Sequence, residues 1–218
     1  MKKGLTELVF ILDKSGSMSG LEADTIGGYN SMLSKQQAEE GECRITTLLF
    51  NNSFHLLHDR IDLKAVGPIT ENEYRVGGST ALLDAIGLTV DKIGNAQKNT
   101  AEDYRAEKVL VVIITDGEEN SSREYSSDKV KMMIERQKNR FGWEFIFLGA
   151  NIDSVETGGR FGIGRNRAVD YVPDKQGVNL NYSTLNSTVA EYRKTGVLDE
   201  QRLNEIRRDA EKRGKKKQ

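Results

Sequence analysis

The sequence is poor in cysteine and in long apolar runs. Cys43 is its only cysteine, so no disulfide can form within the chain, which fits a reducing compartment. No segment approaches the roughly 20 apolar residues that a membrane-spanning helix needs. The apolar run near the N-terminus, Leu8 to Leu12, is shorter than the core of a secretory signal and ends at Asp13. These absences predict a cytoplasmic protein that does not enter a membrane.

The charge of the chain is almost balanced, with a formal net charge of −1. This balance argues against general binding of nucleic acid. It hides an asymmetry, because residues 207–218 carry a net charge of +5 and the remaining residues carry −6. We expect the basic segment to be a solvated terminus. Contact of this segment with an acidic partner or with nucleic acid is the alternative interpretation.

The length and composition predict one domain with a substantial core. The chain has 218 residues, of which 37% are hydrophobic and 30% are charged, as in soluble globular proteins. We assign the domain to residues 1–196 and a charged C-terminal helix or tail to residues 197–218. The last helix has only a thin apolar stripe, so we expect it to dock weakly or not at all. That stripe consists of Leu203, Ile206 and Ala210.

Segments with the pattern of strands alternate with segments with the pattern of helices. Only one hairpin, at Asn51-Asn52, interrupts this alternation, and it makes Phe54 to Leu57 an antiparallel edge strand. The pattern predicts an α/β fold: a doubly wound, Rossmann-like, mostly parallel sheet with helices on both faces. The other predicted strands are Leu8 to Leu12, Cys43 to Phe50, Val109 to Ile114, Glu144 to Leu148 and Ala168 to Val172. The predicted helices span about residues 21–38, 82–95, 127–141, 153–161, 181–194 and 199–212.

Two of the apolar strands lead into an aspartate. Asp13 follows the first strand, and Asp116 follows the most apolar strand of the chain. In doubly wound sheets, sites form in the crevice beyond the carboxyl ends of the strands. The fold therefore places both carboxylates at one rim of the sheet, although 103 positions separate them in sequence.

Hydroxyl side chains accompany these aspartates. Ser15 and Ser17 follow Asp13 at alternate positions, and Thr80 lies in a glycine-containing loop before the second long helix. Such oxygens are the ligands that hard cations prefer. In this order the segments resemble the von Willebrand factor A (VWA) domain and its metal-ion-dependent adhesion site. The resemblance covers roughly residues 5–195, and it identifies the chain as an intracellular, bacterial-type, single-domain member with an intact site.

The resemblance implies a role for each of the five matching residues. In the family, the serines matching Ser15 and Ser17 bind the metal directly, and the threonine matching Thr80 binds it directly or through water. The aspartates matching Asp13 and Asp116 act mainly through waters and by fixing the hydroxyls. We expect Mg²⁺ or Mn²⁺, because every donor is a hard oxygen and octahedral geometry is available. Ca²⁺ is less favoured, since few carboxylates are offered.

The implied function is metal-dependent binding of another protein, without catalysis. An Asp or Glu of the partner fills the open position of the cation. Cytoplasmic relatives often work with ATPase assemblies of the AAA+ type, and the resemblance alone implies such a partner here.

Two alternative functions stay open. One is a Mg²⁺-dependent phosphatase or phosphotransferase in which Asp13 accepts the phosphoryl group. Enzymes of the haloacid-dehalogenase type use a second aspartate two residues later, where this chain has Ser15. The other is a nucleic-acid-associated factor that acts through the basic segment 207–218.

Each segment of the predicted site also has a purely structural interpretation. Ser17 or Ser19 can cap the first helix, Ser79 can cap the second, and Asp116-Gly117 can be an ordinary turn. We reject this interpretation for the set, because it needs three coincidences at one rim.

Other candidate sites are weaker. We expect Glu118 and Glu119, which lie next to the predicted site, to belong to a solvated loop; an extension of the acidic rim of the site is the alternative. His55 and His58 fall on opposite faces of a strand, so they are not expected to bind one metal. The segment Phe161 to Gly164 has part of a dinucleotide-binding glycine pattern, but it follows no strong strand and lacks the third glycine.

Overall fold

The computed structural model describes residues 1–214, in which helices surround one β-sheet. In this part of the chain, none of the helices combines the length and apolarity needed to cross a membrane. The strands are β1 (Lys2–Asp13), β2 (Cys43–Phe50), β3 (Phe54–Asp62), β4 (Ala106–Thr115), β5 (Glu144–Gly149) and β6 (Ala168–Asp170). The α-helices are α1 (Glu22–Ala38), α2 (Leu82–Asn99), α3 (Ser127–Phe141), α4 (Ser154–Arg160), α5 (Lys175–Thr195) and α6 (Asn204–Gly214).

The six strands form one sheet in the order β3-β2-β1-β4-β5-β6. Neighbouring strands are parallel except for β2 and β3, which are antiparallel and place β3 at one edge. The predicted fold class, a mostly parallel sheet with one antiparallel edge strand, is therefore confirmed.

Strand β1 is buried on both faces of the sheet because its apolar residues are contiguous rather than alternating. Leu8 and Phe10 belong to the hydrophobic cluster that contains the buried residues of α1 and α5. Val9 and Ile11 belong to a second cluster, formed with the buried residues of α2 and α3. The two clusters fix the strand between two helical layers, so its carboxyl end has a defined position at the rim.

The carboxyl ends of the central strands meet at that rim. Asp13, the last residue of β1, is paired with Phe50 of β2. On the other side of β1, Leu12 is paired with Ile114, so Thr115 at the end of β4 lies next to Asp13. The loops that leave β1 and β4 therefore start side by side, as the parallel topology requires.

Strands β1 and β3 and helix α5 extend furthest beyond the bounds that the sequence pattern predicts. Strand β1 starts at Lys2 rather than near Leu8, and an irregularity between Lys2 and Thr6 interrupts its pairing with β4. Strand β3 continues to Asp62, because an edge strand with one solvated face accommodates charged residues that mask its pattern. Helix α5 starts at Lys175, where the carboxylate of Asp174 accepts the N–H of Gly177 at 2.8 Å.

The prediction that the last helix docks weakly or not at all is wrong. Leu203, just before α6, and Ile206 within it are completely buried in the cluster that also contains α5. Two arginines of the basic segment bind within the domain: Arg207 donates to the backbone carbonyl of Arg165, and Arg213 forms an ion pair with Asp174. A few well-placed apolar residues are enough to dock a short helix. Of the terminus predicted to be solvated, residues 207–218, the last four residues lie outside the described part of the chain.

Candidate metal centre

Asp13 is buried, and both of its carboxylate oxygens are engaged. Oδ1 accepts the backbone N–H of Ser15 at 2.6 Å, and Oδ2 accepts the hydroxyl of Thr115 at 2.6 Å. Burial raises the pKa of Asp13 above its ordinary value, and these hydrogen bonds oppose that shift. The carboxylate thus fixes the turn that carries the serines and joins the end of β1 to the end of β4.

The two serines of this turn direct their hydroxyls to the same place. The Oγ atoms of Ser15 and Ser17 lie 3.0 Å apart, and Ser15 is buried whereas Ser17 is exposed. Neighbouring ligands of an octahedral Mg²⁺, each about 2.1 Å from the metal, are separated by about 3.0 Å. The observed spacing is that of a hydrogen bond between the two hydroxyls, and it is also compatible with octahedral coordination of a small cation.

The loops that carry Thr80 and Gly117 close the site from the other side. A Cβ atom added to Gly117 would lie 3.2 Å from Oγ of Ser17 and 3.5 Å from Oγ1 of Thr80. The hydroxyls of Ser17 and Thr80 therefore flank one small space beside the Gly117 backbone. Thr80 is buried, so its side chain is enclosed by the protein.

Asp116 contributes the unsatisfied acceptor of the site. Its side chain is buried, and among the described residues none donates a hydrogen bond to Oδ1. Burial raises the pKa of Asp116, a hydrogen bond with Ser17 opposes this shift, and the neighbouring Asp13 adds to it. An orphaned buried carboxylate oxygen is unfavourable by itself, and a cation or a cation-bound water would satisfy it.

Backbone hydrogen bonds join the serine turn to the glycine loop before α2. Gly16 donates its N–H to the carbonyl of Gly78 at 2.9 Å, and Gly77 donates to Lys14 at 2.9 Å. Gly78 has a φ of +81°, and a Cβ there would lie 2.1 Å from Oδ1 of Asn52. The positive φ therefore favours glycine at this position, and a Cβ there would also force the exposed Asn52 side chain to move.

The structural interpretation of the hydroxyls as helix caps is wrong. The residue at the N-cap of α1 is Leu21, and the residue at the N-cap of α2 is Ala81. Neither helix start receives a hydrogen bond from a side chain at that position, so Ser19 and Ser79 do not cap these helices. The serines and Thr80 therefore have no capping role, and their hydroxyls stay candidate metal ligands at the rim of the sheet.

Sequence reasoning missed the role of the residues that follow Asp116. Glu119, expected in a solvated loop, accepts the N–H of Leu83 at 2.8 Å and thus binds the start of α2. Asn120 forms two hydrogen bonds with the backbone of Thr80. The available signal was a run of capping residue types, Glu119 to Ser122, directly after a strand-end aspartate.

An open cleft of about 520 Å³ adjoins the rim. Ser17 and Asp116 lie at one side of it, and the turn between β6 and α5 forms the opposite wall. Its volume is in the range of ligand-binding clefts, about 300–1,000 Å³. The cleft is lined by Ser17, Ser19, Gly20, Leu21, Asp24, Asp116, Asn151, Pro173, Asp174 and Lys175.

The other candidate sites do not form. His58 is buried with its Nδ1 3.0 Å from the Thr47 hydroxyl, while His55 is exposed, so the two do not share a ligand. Phe161 and Ile163 are core residues that follow helix α4, so this segment is not a strand-to-helix phosphate loop. Within residues 1–214, no group of three or more His, Cys, Asp or Glu could hold a metal. The hydroxyl-rich rim therefore remains the candidate, and its oxygen donors fit a hard cation.

Solved structures share the overall fold. The PilB minor pilin from Streptococcus sanguinis aligns over 85% of this chain and 61% of its own, with a TM-score of 0.59 and 11% identity. A von Willebrand factor type A protein from Catenulispora acidiphila aligns over 85% and 42%, with a TM-score of 0.53 and 10% identity. The manganese-loaded TRAP protein of Plasmodium vivax aligns over 74% and 62%, with a TM-score of 0.53 and 20% identity.

These similarities define the fold of the chain as that of von Willebrand factor A domains. This chain spans between 42% and 62% of the lengths of those three proteins, so it corresponds to a part of each. No protein-family model matches the sequence, and no curated protein matches it either.

Proposed function

We propose that this protein is a non-catalytic, metal-dependent protein-binding domain. The observation that carries the proposal is the convergence of three hydroxyls, those of Ser15, Ser17 and Thr80, beside the unpartnered Oδ1 of Asp116. Such a group of neutral oxygens and one orphaned carboxylate oxygen suits Mg²⁺ or Mn²⁺. The manganese-loaded TRAP protein supports the choice of metal, because it has the same fold.

The residues divide into ligands and supports. Ser15, Ser17 and Thr80 would hold the cation directly, and Asp116 would bind it or one of its waters. Asp13 has both oxygens engaged, so its part is to orient the Ser15 turn. The bound cation would supply an electrophilic centre for a carboxylate, because its direct protein ligands are largely uncharged hydroxyls.

The proposed partner is a protein that presents an aspartate or glutamate to the cation. The cleft beside Ser17 and Asp116 has room for an acidic side chain and several neighbouring atoms. An AAA+ ATPase assembly is one proposed setting, and the single cysteine supports a cytoplasmic location. The intact adhesion site and the single-domain, intracellular character are part of the same proposal.

The phosphatase alternative receives less support. A phosphoryl acceptor needs a free carboxylate oxygen facing the substrate. Asp13 is buried, and its two oxygens accept hydrogen bonds from Ser15 and Thr115. The nucleic-acid alternative also loses support, because Arg207 and Arg213 of the basic segment bind within the domain.

The test is a binding experiment with and without metal. Immobilised protein is exposed to lysate in Mg²⁺ or in a chelator, and the retained proteins are compared for wild type and for Ser17→Ala. We expect partners that are retained only by the wild type and only in Mg²⁺. Partners retained equally in the chelator, or equally by Ser17→Ala, would refute the proposal. Deletion of residues 207–218 and a generic phosphatase assay test the two alternatives.

A further inference from the structure

We infer that Asn120 is a positioning residue that sets the place of Thr80 and thereby selects Mg²⁺ over larger cations. Asn120 lies four residues after Asp116, on the loop that leaves β4, and it does not itself contribute an oxygen to the proposed ligand group. The inference rests on the proposed function, because it concerns the metal selectivity of the same site.

The contact between Asn120 and Thr80 is reciprocal. The backbone N–H of Thr80 donates to Oδ1 of Asn120 at 2.9 Å. The backbone N–H of Asn120 donates to the carbonyl of Thr80 at 3.0 Å. These two hydrogen bonds, on opposite sides of Thr80, restrict the rotation and translation of its backbone. Asn120 thereby determines where the side chain that carries the Thr80 hydroxyl starts.

Asn120 is itself held by its neighbour in sequence. The carboxylate of Glu119 accepts the N–H of Leu83 at 2.8 Å, and it accepts the N–H groups of Ser121 and Ser122 at 2.9 and 2.7 Å. One carboxylate thus ties the loop after β4 to the first turn of α2. It also carries negative charge to a helix N-terminus, where such charge is stabilising.

A second carboxylate ties the same elements in the opposite direction. Asp84, in the first turn of α2, accepts the N–H groups of Arg123, Glu124 and Tyr125 at 2.8, 2.9 and 2.8 Å. The loop after β4 and the start of α2 therefore form one rigid unit. Asn120 is the part of that unit that reaches the Thr80 backbone.

The consequence for the cation follows from its size. Mg²⁺ requires ligands at about 2.0–2.1 Å in nearly ideal octahedral geometry, whereas Ca²⁺ accepts six to eight ligands at about 2.3–2.6 Å in flexible arrangements. If Thr80 moves freely, the site loses more affinity for Mg²⁺ than for Ca²⁺. The ratio of the Mg²⁺ affinity to the Ca²⁺ affinity thus measures how well Thr80 is positioned. A general loss of stability would not lower this ratio.

The experiment measures Mg²⁺ and Ca²⁺ dissociation constants by calorimetry for the full chain and its variants. Asn120→Ala should weaken Mg²⁺ binding by about 10- to 100-fold, the usual effect of removing a group that orients a ligand. Ca²⁺ binding should weaken less, so the Mg²⁺ preference falls. Asn120→Asp keeps an acceptor for the Thr80 N–H and should restore the preference. Asn120→Gln keeps the amide but displaces it by one methylene, so it should lower the preference if Asn120→Ala does not fold.

Ser121→Ala is the matched control, because its hydroxyl has no hydrogen-bond partner among residues 1–214. This variant should bind both cations like the wild type. An unchanged ratio for Asn120→Ala and Asn120→Gln, or the same change in Ser121→Ala, would overturn the inference while leaving the proposed function intact. Absence of Mg²⁺ binding by the wild type would overturn both.

Discussion

The hydroxyl of Thr115 donates a hydrogen bond of 2.6 Å to the carboxylate of Asp13, so the last residues of β4 and β1 are joined across the rim. Both side chains are buried, and the same carboxylate accepts the Ser15 N–H. This bond links the two strand ends from which the proposed metal ligands extend.

Replacement of Thr115 by valine tests this link. Thr115→Val keeps the shape of the side chain but leaves Oδ2 of Asp13 without its donor, which should lower the free energy of unfolding by about 1–3 kcal/mol. Chemical denaturation of the metal-free protein measures the change. Thr115→Ser retains the hydroxyl and is the control. Equal stability of the wild type and Thr115→Val would show that the bond contributes nothing.

Gly117 keeps open the space between two of the proposed ligands. A methyl group at Gly117 would lie 3.2 Å from Oγ of Ser17, a tight contact, and 3.5 Å from Oγ1 of Thr80, so it would take up the space between the two hydroxyls. Gly117→Ala should therefore fold normally but bind Mg²⁺ about tenfold more weakly. Calorimetric titration gives the affinity and circular dichroism checks the fold. Undiminished affinity would place the cation elsewhere.

Two adjacent glycines of α1 should respond oppositely to substitution. Gly27 faces open space, so Gly27→Ala should stabilise the protein by about 0.5–1 kcal/mol, as expected in a helix interior. A Cβ at Gly28 would lie 2.3 Å from the Tyr182 ring of α5, and Gly28→Ala should destabilise by about 1–3 kcal/mol. Unfolding of the two variants in denaturant measures both changes in stability. Equal effects would contradict the close packing of α1 on α5.

The buried ion pair between Glu7 of β1 and Arg60 of β3 predicts a dependence of stability on pH. Burial raises the pKa of Glu7 above its ordinary value of 4.5, and the Arg60 guanidinium, 2.9 Å away, opposes this shift. The Glu7 carboxyl therefore keeps its proton to a higher pH in the folded state than in the unfolded state. As a result, ionisation of Glu7 reduces the free energy of unfolding as the pH rises from about 4.5 through the folded pKa.

The control for this effect is Glu7→Gln, which cannot ionise. We expect the stability of the wild type relative to Glu7→Gln to be greatest below the ordinary pKa of Glu7 and to fall as the pH rises through its higher folded pKa. Unfolding free energies at several pH values measure it. A relative stability that rises with pH would mean that Arg60 lowers the pKa of Glu7 more than burial raises it.

The parts of the fold that rest on strong local patterns could be predicted from the sequence. The contiguous apolar runs of β1 and β4 are typical of central parallel strands, and their order places Asp13 and Asp116 at one rim. Helix α3 could also be predicted at its ends, because Ser126 caps it with its side chain and Gly142 adopts the left-handed conformation after it.

Other parts depend on contacts that no local pattern encodes. The docking of α6 depends on Leu203 and Ile206 meeting a surface formed by distant residues, so the thin stripe was misleading. The pairing of Asn120 with Thr80 joins residues 40 positions apart, and neither residue type indicates the other. Glu119 looks like a solvated acid in sequence, yet its partners are backbone N–H groups, which every residue offers.

A titration with Mg²⁺ tests the central claim most directly. Calorimetry with the wild type, with Ser17→Ala and with the control Ser31→Ala, an exposed serine on α1, separates the rim from the rest of the surface. The wild type and Ser31→Ala should bind one ion, and at about 100 times the dissociation constant the ion should stabilise both by about 2.7 kcal/mol. Ser17→Ala should lose this binding without losing metal-free stability. No binding by the wild type, or equal binding by Ser17→Ala, would contradict the account.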